Sequence, residues 1–171
     1  MQQKGFTLIE LIIVIVILGI LAVTAAPRFI DIQTDARKQT IVGVEAALKG
    51  AAKLVFAKAV VNGVHTLPNS DSRSEVEVAG VPVQTHLGYP DVNGYTQIQS
   101  DLSATPPVYG IDSFIDIDST QLTVSIDASN SQMRITFAGE DPLTNDCSVT
   151  YFNANASNTS EPLIFTRLTG C

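Results

Sequence analysis

Positive charge is what this chain has least of. Its 171 residues hold 10 Lys and Arg against 17 Asp and Glu, a net charge of −7, and beyond Lys58 there is no lysine. The deficit is uneven. Up to Val61, seven Lys/Arg face four Asp/Glu; after it, only Arg73, Arg134 and Arg167 face thirteen acids. An acidic outer part repels phosphate backbones, so charge gives no support to nucleic acid as a partner. Histidine is as scarce: neither His65 nor His86 stands in a Ser, Cys or carboxylate arrangement that suggests a nucleophile, and no enzyme activity is expected. Cysteine is limited to Cys147 and Cys171, which lack metal-ligand spacing and have no His near in sequence. Such a pair, closing a 25-residue loop, fits a disulfide in an oxidising compartment; two free thiols in a cytosolic protein are the alternative. Asp112, Asp116, Asp118, Glu140, Asp141 and Asp146 offer oxygens for calcium, but no loop has an EF-hand pattern. No metal or cofactor is therefore expected.

The apolar stretch from Phe6 to Ala26 lacks cations altogether. It contains no Lys, Arg or His, yet it holds one carboxylate, Glu10. As a helix its 21 residues span about 32 Å, against about 30 Å for a hydrocarbon core. An ionised carboxylate at mid-bilayer costs roughly 2.5–3.5 kcal/mol, so an intramembrane acid points to function by default. It needs a positive partner. The nearest is a free α-amino group, available if the chain is cut between Gly5 and Phe6. An ordinary secretory signal, cut within Ala22–Ala26, is opposed by Glu10 and by the length of the run. An unprocessed membrane anchor remains an alternative. Flanking charge does not settle orientation, since Lys4 precedes the run and Arg28, Arg37 and Lys38 follow it.

Lys4-Gly5 followed by Phe6-Thr7-Leu8-Ile9-Glu10 and a long apolar helix resembles the class III signal of type IV pilins and their relatives. The resemblance implies that a prepilin peptidase cuts after Gly5 and methylates Phe6 as the new N-terminus. It implies that residues 1–5 are a leader, and that Glu10 assists assembly. Pro27–Arg37 and the ending Cys147–Tyr151 with Leu168–Cys171 resemble the mannose-sensitive haemagglutinin branch, which implies adhesion. Gly19 and Pro27 lie about two turns apart, and Pro27 removes one helical hydrogen bond. A gentle kink is the plain reading; the resemblance implies a stretch that loses helicity when subunits pack in a filament.

Past Pro27 the positions Ile41, Val44, Leu48, Ala51 and Val55 recur at steps of three and four, the stripe of an amphipathic helix. Alanines fill much of the remainder, Glu45 and Lys49 form an i,i+4 pair, and Asn62-Gly63 is a stop signal. One long helix over 6–62 is predicted, with 6–26 as its transmembrane or filament-core part. Residues 63–171 read as a head. Val76–Val83 predicts a hairpin, with Pro82 confining its strand to an edge. Tyr95–Ser103 reads as a short helix. Phe114–Ile117, Leu122–Ile126, Met133–Phe137, Cys147–Tyr151 and Leu163–Leu168 read as strands, with a turn at Asn130-Ser131. A helix laid on an antiparallel sheet, an α+β pilin fold, is the expectation. The sequons at Asn155 and Asn158 and the polar run Asn153–Ser160 read as an exposed loop tip.

The function that follows is a major structural subunit of a type IV pilus, adhering to surfaces or host cells. Its expected partners are identical subunits, the prepilin peptidase/methyltransferase and the inner-membrane assembly machinery. Its expected path runs from inner membrane, head in periplasm, to extracellular pilus. The alternatives are a type II secretion pseudopilin and a monomeric membrane-anchored binding protein.

Overall fold

The computed structural model describes residues 5–92, 111, 115, 117–127, 130–142, 144–154 and 161–171, and no side chains over 25–31. The chain divides into two compact units, Met1–Arg37 and Lys38–Cys171. A single helix, α1 (Leu8–Val61), supplies the N-terminal unit and one layer of the second.

In the N-terminal unit every large apolar side chain described from Phe6 to Val23 is 45–94% exposed. Among the described residues nothing covers this surface. Among the described residues, no helix is long and apolar enough to cross a membrane. Within α1 the described side chains of this run extend from Leu8 to Thr24, 17 residues, whereas the run counted from the sequence, Phe6–Ala26, extends past both ends.

The second unit packs the rest of α1 against two antiparallel sheets. The first has the order β1 (Glu75–Val78), β2 (Val81–His86), β3 (Tyr89–Pro90). The second is a meander, β4 (Leu122–Asp127), β5 (Gln132–Phe137), β6 (Ser148–Phe152), β7 (Leu163–Arg167). The predicted helical stripe forms the seam. Ile41, Leu48 and Ala51 are buried with Leu122, Met133, Ile135, Val149 and Tyr151, and Val44 is half-buried against them. One to two turns on, Val55 and Ala59 are buried with Val76, Val78 and Val83 of the smaller sheet. Each Leu, Ile or Val so placed contributes roughly 1.5–3 kcal/mol of transfer free energy.

Local chemistry sets the ends of these elements. Gly63 takes φ +72°, Val64 N–H donates to Ala59 C=O at 2.9 Å and Gly63 N–H to Val60 C=O at 3.0 Å, a Schellman stop. Ala79 and Gly80 both have positive φ, 52° and 81°, as a two-residue hairpin turn requires. The β4–β5 register closes at Asp127 opposite Gln132, where Asp127 accepts from Asn130 N–H at 3.2 Å and from its Nδ2 at 2.6 Å.

Two expectations need adjustment, and others fall on residues the structure does not describe. Pro82 lies in the middle strand of its sheet, not at an edge. The reason it is tolerated is that β3 pairs only with Thr85 and His86, leaving β2 open on that side at Pro82. Of Phe114–Ile117, only Ile115 and Ile117 are described, and neither is in a strand. Tyr95–Ser103, Asp112, Asp116, Asn155 and Asn158 lie outside the described residues.

Tyr151 ties the two sheets together. Its hydroxyl, fully buried, donates to Pro90 C=O at 2.7 Å. Beside it the buried Asp91 carboxylate accepts from Asn69 Nδ2 at 2.5 Å and from Asn153 Nδ2, and Asn153 Oδ1 accepts from Val92 N–H at 2.8 Å. Burial of such polar groups is tolerable because each finds a partner.

Candidate assembly site at the helix N-terminus

Glu10 sits in the first turn of α1, where helix backbone N–H groups lack intrahelical acceptors. Its partner is Thr7. Thr7 N–H donates to Glu10 Oε2 at 2.9 Å, Thr7 Oγ1 donates to the same oxygen at 2.7 Å, and Glu10 N–H donates to Thr7 Oγ1 at 3.3 Å. This is a reciprocal capping box, with Thr7 as N-cap and Glu10 at the third helical position. The acid also sits at the positive end of the helix macrodipole. The Thr-x-x-Glu spacing is the sequence signal for this role of Thr7.

Ahead of the cap, Phe6 is 94% exposed and a side chain at Gly5 would meet nothing within 4 Å. Gly19 is likewise uncrowded, and α1 is continuous through Gly19 and Pro27.

The two cysteines are joined. Cys147–Cys171 is a disulfide with its Cα atoms 4.7 Å apart, and no free cysteine remains. Cys147 is fully buried in the core beside Val149, so the bond fixes the chain end to the start of β6. Gly170 N–H donates to Asp146 C=O at 3.3 Å, and Arg167 Nη1 meets Asp146 Oδ1 at 3.4 Å. Among the described residues no three His, Cys, Asp or Glu converge to hold a metal. Asp118 is engaged in its own turn, accepting from Thr120 N–H at 2.9 Å and Thr120 Oγ1 at 2.6 Å.

The family profile described as "Prokaryotic N-terminal methylation motif" matches residues 1–26, which contain Gly5, Phe6, Thr7 and Glu10. A type IV narrow pilus major component, PilA5, of Thermus thermophilus is 46% identical over 59 residues, 34% of this chain and 51% of that protein. Over these matched residues the chain is similar to a type IV pilin. A fimbrial protein of Pseudomonas aeruginosa is 36% identical over 97 residues, 57% of this chain and 58% of its own length. A type II secretion system core protein G of Klebsiella pneumoniae is 44% identical over a shorter 50 residues, 29% and 36% of the two chains. The chain spans about half the length of the pilin relatives it matches. None of these three names carries the haemagglutinin branch. No solved structure matches the chain.

Proposed function

We propose that this chain is the major structural subunit of a type IV pilus, polymerising through the apolar N-terminal part of α1. The observation that carries this reading is the solvated apolar surface from Phe6 to Val23, with a single capped acid at its start. So large an uncovered apolar surface needs either lipid or other helices around it. Relatives named as pilus and fimbrial proteins support the second environment after the first.

In this mechanism a prepilin peptidase cuts between Gly5 and Phe6 and methylates Phe6. The subunit waits in the inner membrane with its head in the periplasm, where the Cys147–Cys171 bond forms. On assembly, α1 leaves lipid for a shared helical core, and Glu10 pairs with the α-amine of Phe6 on a neighbouring subunit. In low dielectric an unpaired carboxylate is costly, so that pairing sets the axial register of the incoming subunit. The capping box supports this route, because Thr7 holds part of the carboxylate's hydrogen-bonding capacity until the amine arrives. The polymer serves adhesion to host or abiotic surfaces, the role that resemblance to the haemagglutinin branch implies.

The intact mass and N-terminal peptide of the protein recovered from sheared cell surfaces test the processing steps. The expected species starts at N-methylated Phe6 and is two hydrogens lighter than its dithiol form. A species starting at Met1, or near Ala26, overturns the filament reading. A pseudopilin is the second reading, favoured by the match to core protein G. The disulfide weighs against it, since the resemblance associates major pseudopilins with a calcium-stabilised loop instead. A monomeric anchored binding protein would appear in surface fractions without filaments.

A further inference from the structure

We propose that the cavity between α1, the loop that follows it and the β2–β3 turn is a binding site for a primary alkylammonium group. The cavity is about 310 Å³ and is lined by Phe56, His65, Thr66, Leu87, Tyr89 and Glu161. Its wall is aromatic. Phe56 and Tyr89 stack with centroids 4.4 Å apart and planes 16° from parallel, and His65 meets Phe56 edge-on at 6.2 Å. Such a wall suits the methylene stem of an alkylamine and attracts the charge at its end.

Two acceptors are present at this wall without a described partner of their own. His65 Nδ1 is buried and makes no hydrogen bond, unlike His86 Nδ1, which accepts from Asn69 N–H at 3.3 Å. Glu161 forms no ion pair among the described residues, whereas Arg73 and Arg167 are engaged with Asp71 and Asp146. The negative charge of Glu161 reaches the cavity interior: together with burial, the larger cause, it raises the Tyr89 hydroxyl above its ordinary pKa. A buried polar atom with no partner is costly. A neutral imidazole nitrogen and a carboxylate both accept hydrogen bonds, and an –NH3+ group offers three donors. A quaternary ammonium has none, so the primary amine is the better match.

The wall is also held in place by strained backbone. Leu87 takes φ +53° and Gly88 φ +83° in the β2–β3 turn. A Cβ at Gly88 would lie 2.9 Å from His65 Cα and 3.0 Å from Phe56 Cδ2, so only glycine lets the turn close on the His65 backbone and the Phe56 ring. Leu87, whose side chain lines the cavity, adopts a conformation that non-glycine residues seldom take. Leu87 N–H donating to Leu67 C=O at 2.9 Å fixes it there.

The test is an NMR titration of the full chain in octyl glucoside micelles at pH 7.5, read at the two histidine rings. The probe is Nα-acetyl-lysine methylamide, with its Nε-acetylated analogue as neutral control and n-butylamine as free amine. The expected result is a saturable shift of His65 with His86 unmoved, absent with the Nε-acetylated analogue. Glu161→Gln, at an exposed position, weakens binding at least about tenfold, whereas Glu77→Gln on β1 leaves it unchanged. Stronger binding of the lysine amide assigns the site to a lysine side chain on another polypeptide; stronger binding of butylamine assigns it to a free amine. An equal response to the neutral analogue, or no His65 response at all, overturns the proposal.

Discussion

At the residue scale the head depends on a few buried polar groups, and Tyr151 is the most exposed to test. Burial, helped by the negative charge of Asp91, pushes its hydroxyl well above the ordinary value of 10. A raised folded-state value means that the unfolded chain ionises first. Stability is therefore full below pH 10 and falls as pH climbs past it. Tyr151→Phe removes the bond to Pro90 C=O and should cost about 0.5–1.5 kcal/mol at pH 7. The same variant should lose less stability than the parent between pH 9 and pH 11, a difference that denaturant titrations at the two pH values will reveal. Thr7 and Glu10 show the opposite situation, polar groups satisfied locally by residues three apart. That pairing was legible as Thr-x-x-Glu, since it needs only the geometry of one helical turn.

At the element scale α1 carries two faces with different fates. Leu48 is fully buried on the stripe, whereas Leu54, six residues on, is 57% exposed. Leu48→Ala should destabilise the unassembled head by about 2–5 kcal/mol, and Leu54→Ala by no more than about 0.5 kcal/mol. Equal losses in thermal or denaturant unfolding would contradict the packing. Position along the stripe also decides which sheet is met: Ile41 and Leu48 face the four-stranded sheet, Val55 and Ala59 the smaller one. At the other end of the chain, reducing Cys147–Cys171 should cost roughly 2–5 kcal/mol, while a chelator should cost nothing. Protection by calcium in place of the disulfide would favour the pseudopilin reading. The Glu45–Lys49 pair, 2.6 Å apart on the surface, deserves no such weight at about 0.3–0.5 kcal/mol.

At the scale of the whole molecule, charge and hydropathy separate along the chain. Cations concentrate in α1, and the head is acidic. The apolar side chains of the N-terminal unit are exposed among the described residues, and in the proposed polymer they are where subunits meet. Glu10→Leu keeps the helix apolar and removes only the acid. It should reduce filament yield in sheared fractions severely while leaving inner-membrane levels of the subunit intact. Filaments at the parent level would remove Glu10 from register setting and leave apolar packing alone to do it.

The elements legible in advance were those specified by near neighbours. The stripe Ile41–Val55, the alternation of Leu122–Ile126 and the Asn62-Gly63 stop each follow from spacing over a few residues, because helix and strand periods are local. The sequence by itself determined a long helix with a cation-free apolar start, an acidic α+β head and one possible cysteine pair. Only the tertiary structure decided the rest: that Pro82 enters a middle strand because β3 is short, that Tyr151 reaches Pro90, and that Phe56, His65, Tyr89 and Glu161 enclose one cavity. Tyr151 and Pro90 stand 61 positions apart. Contacts at that separation depend on how sheets stack on a helix, and no local period records it.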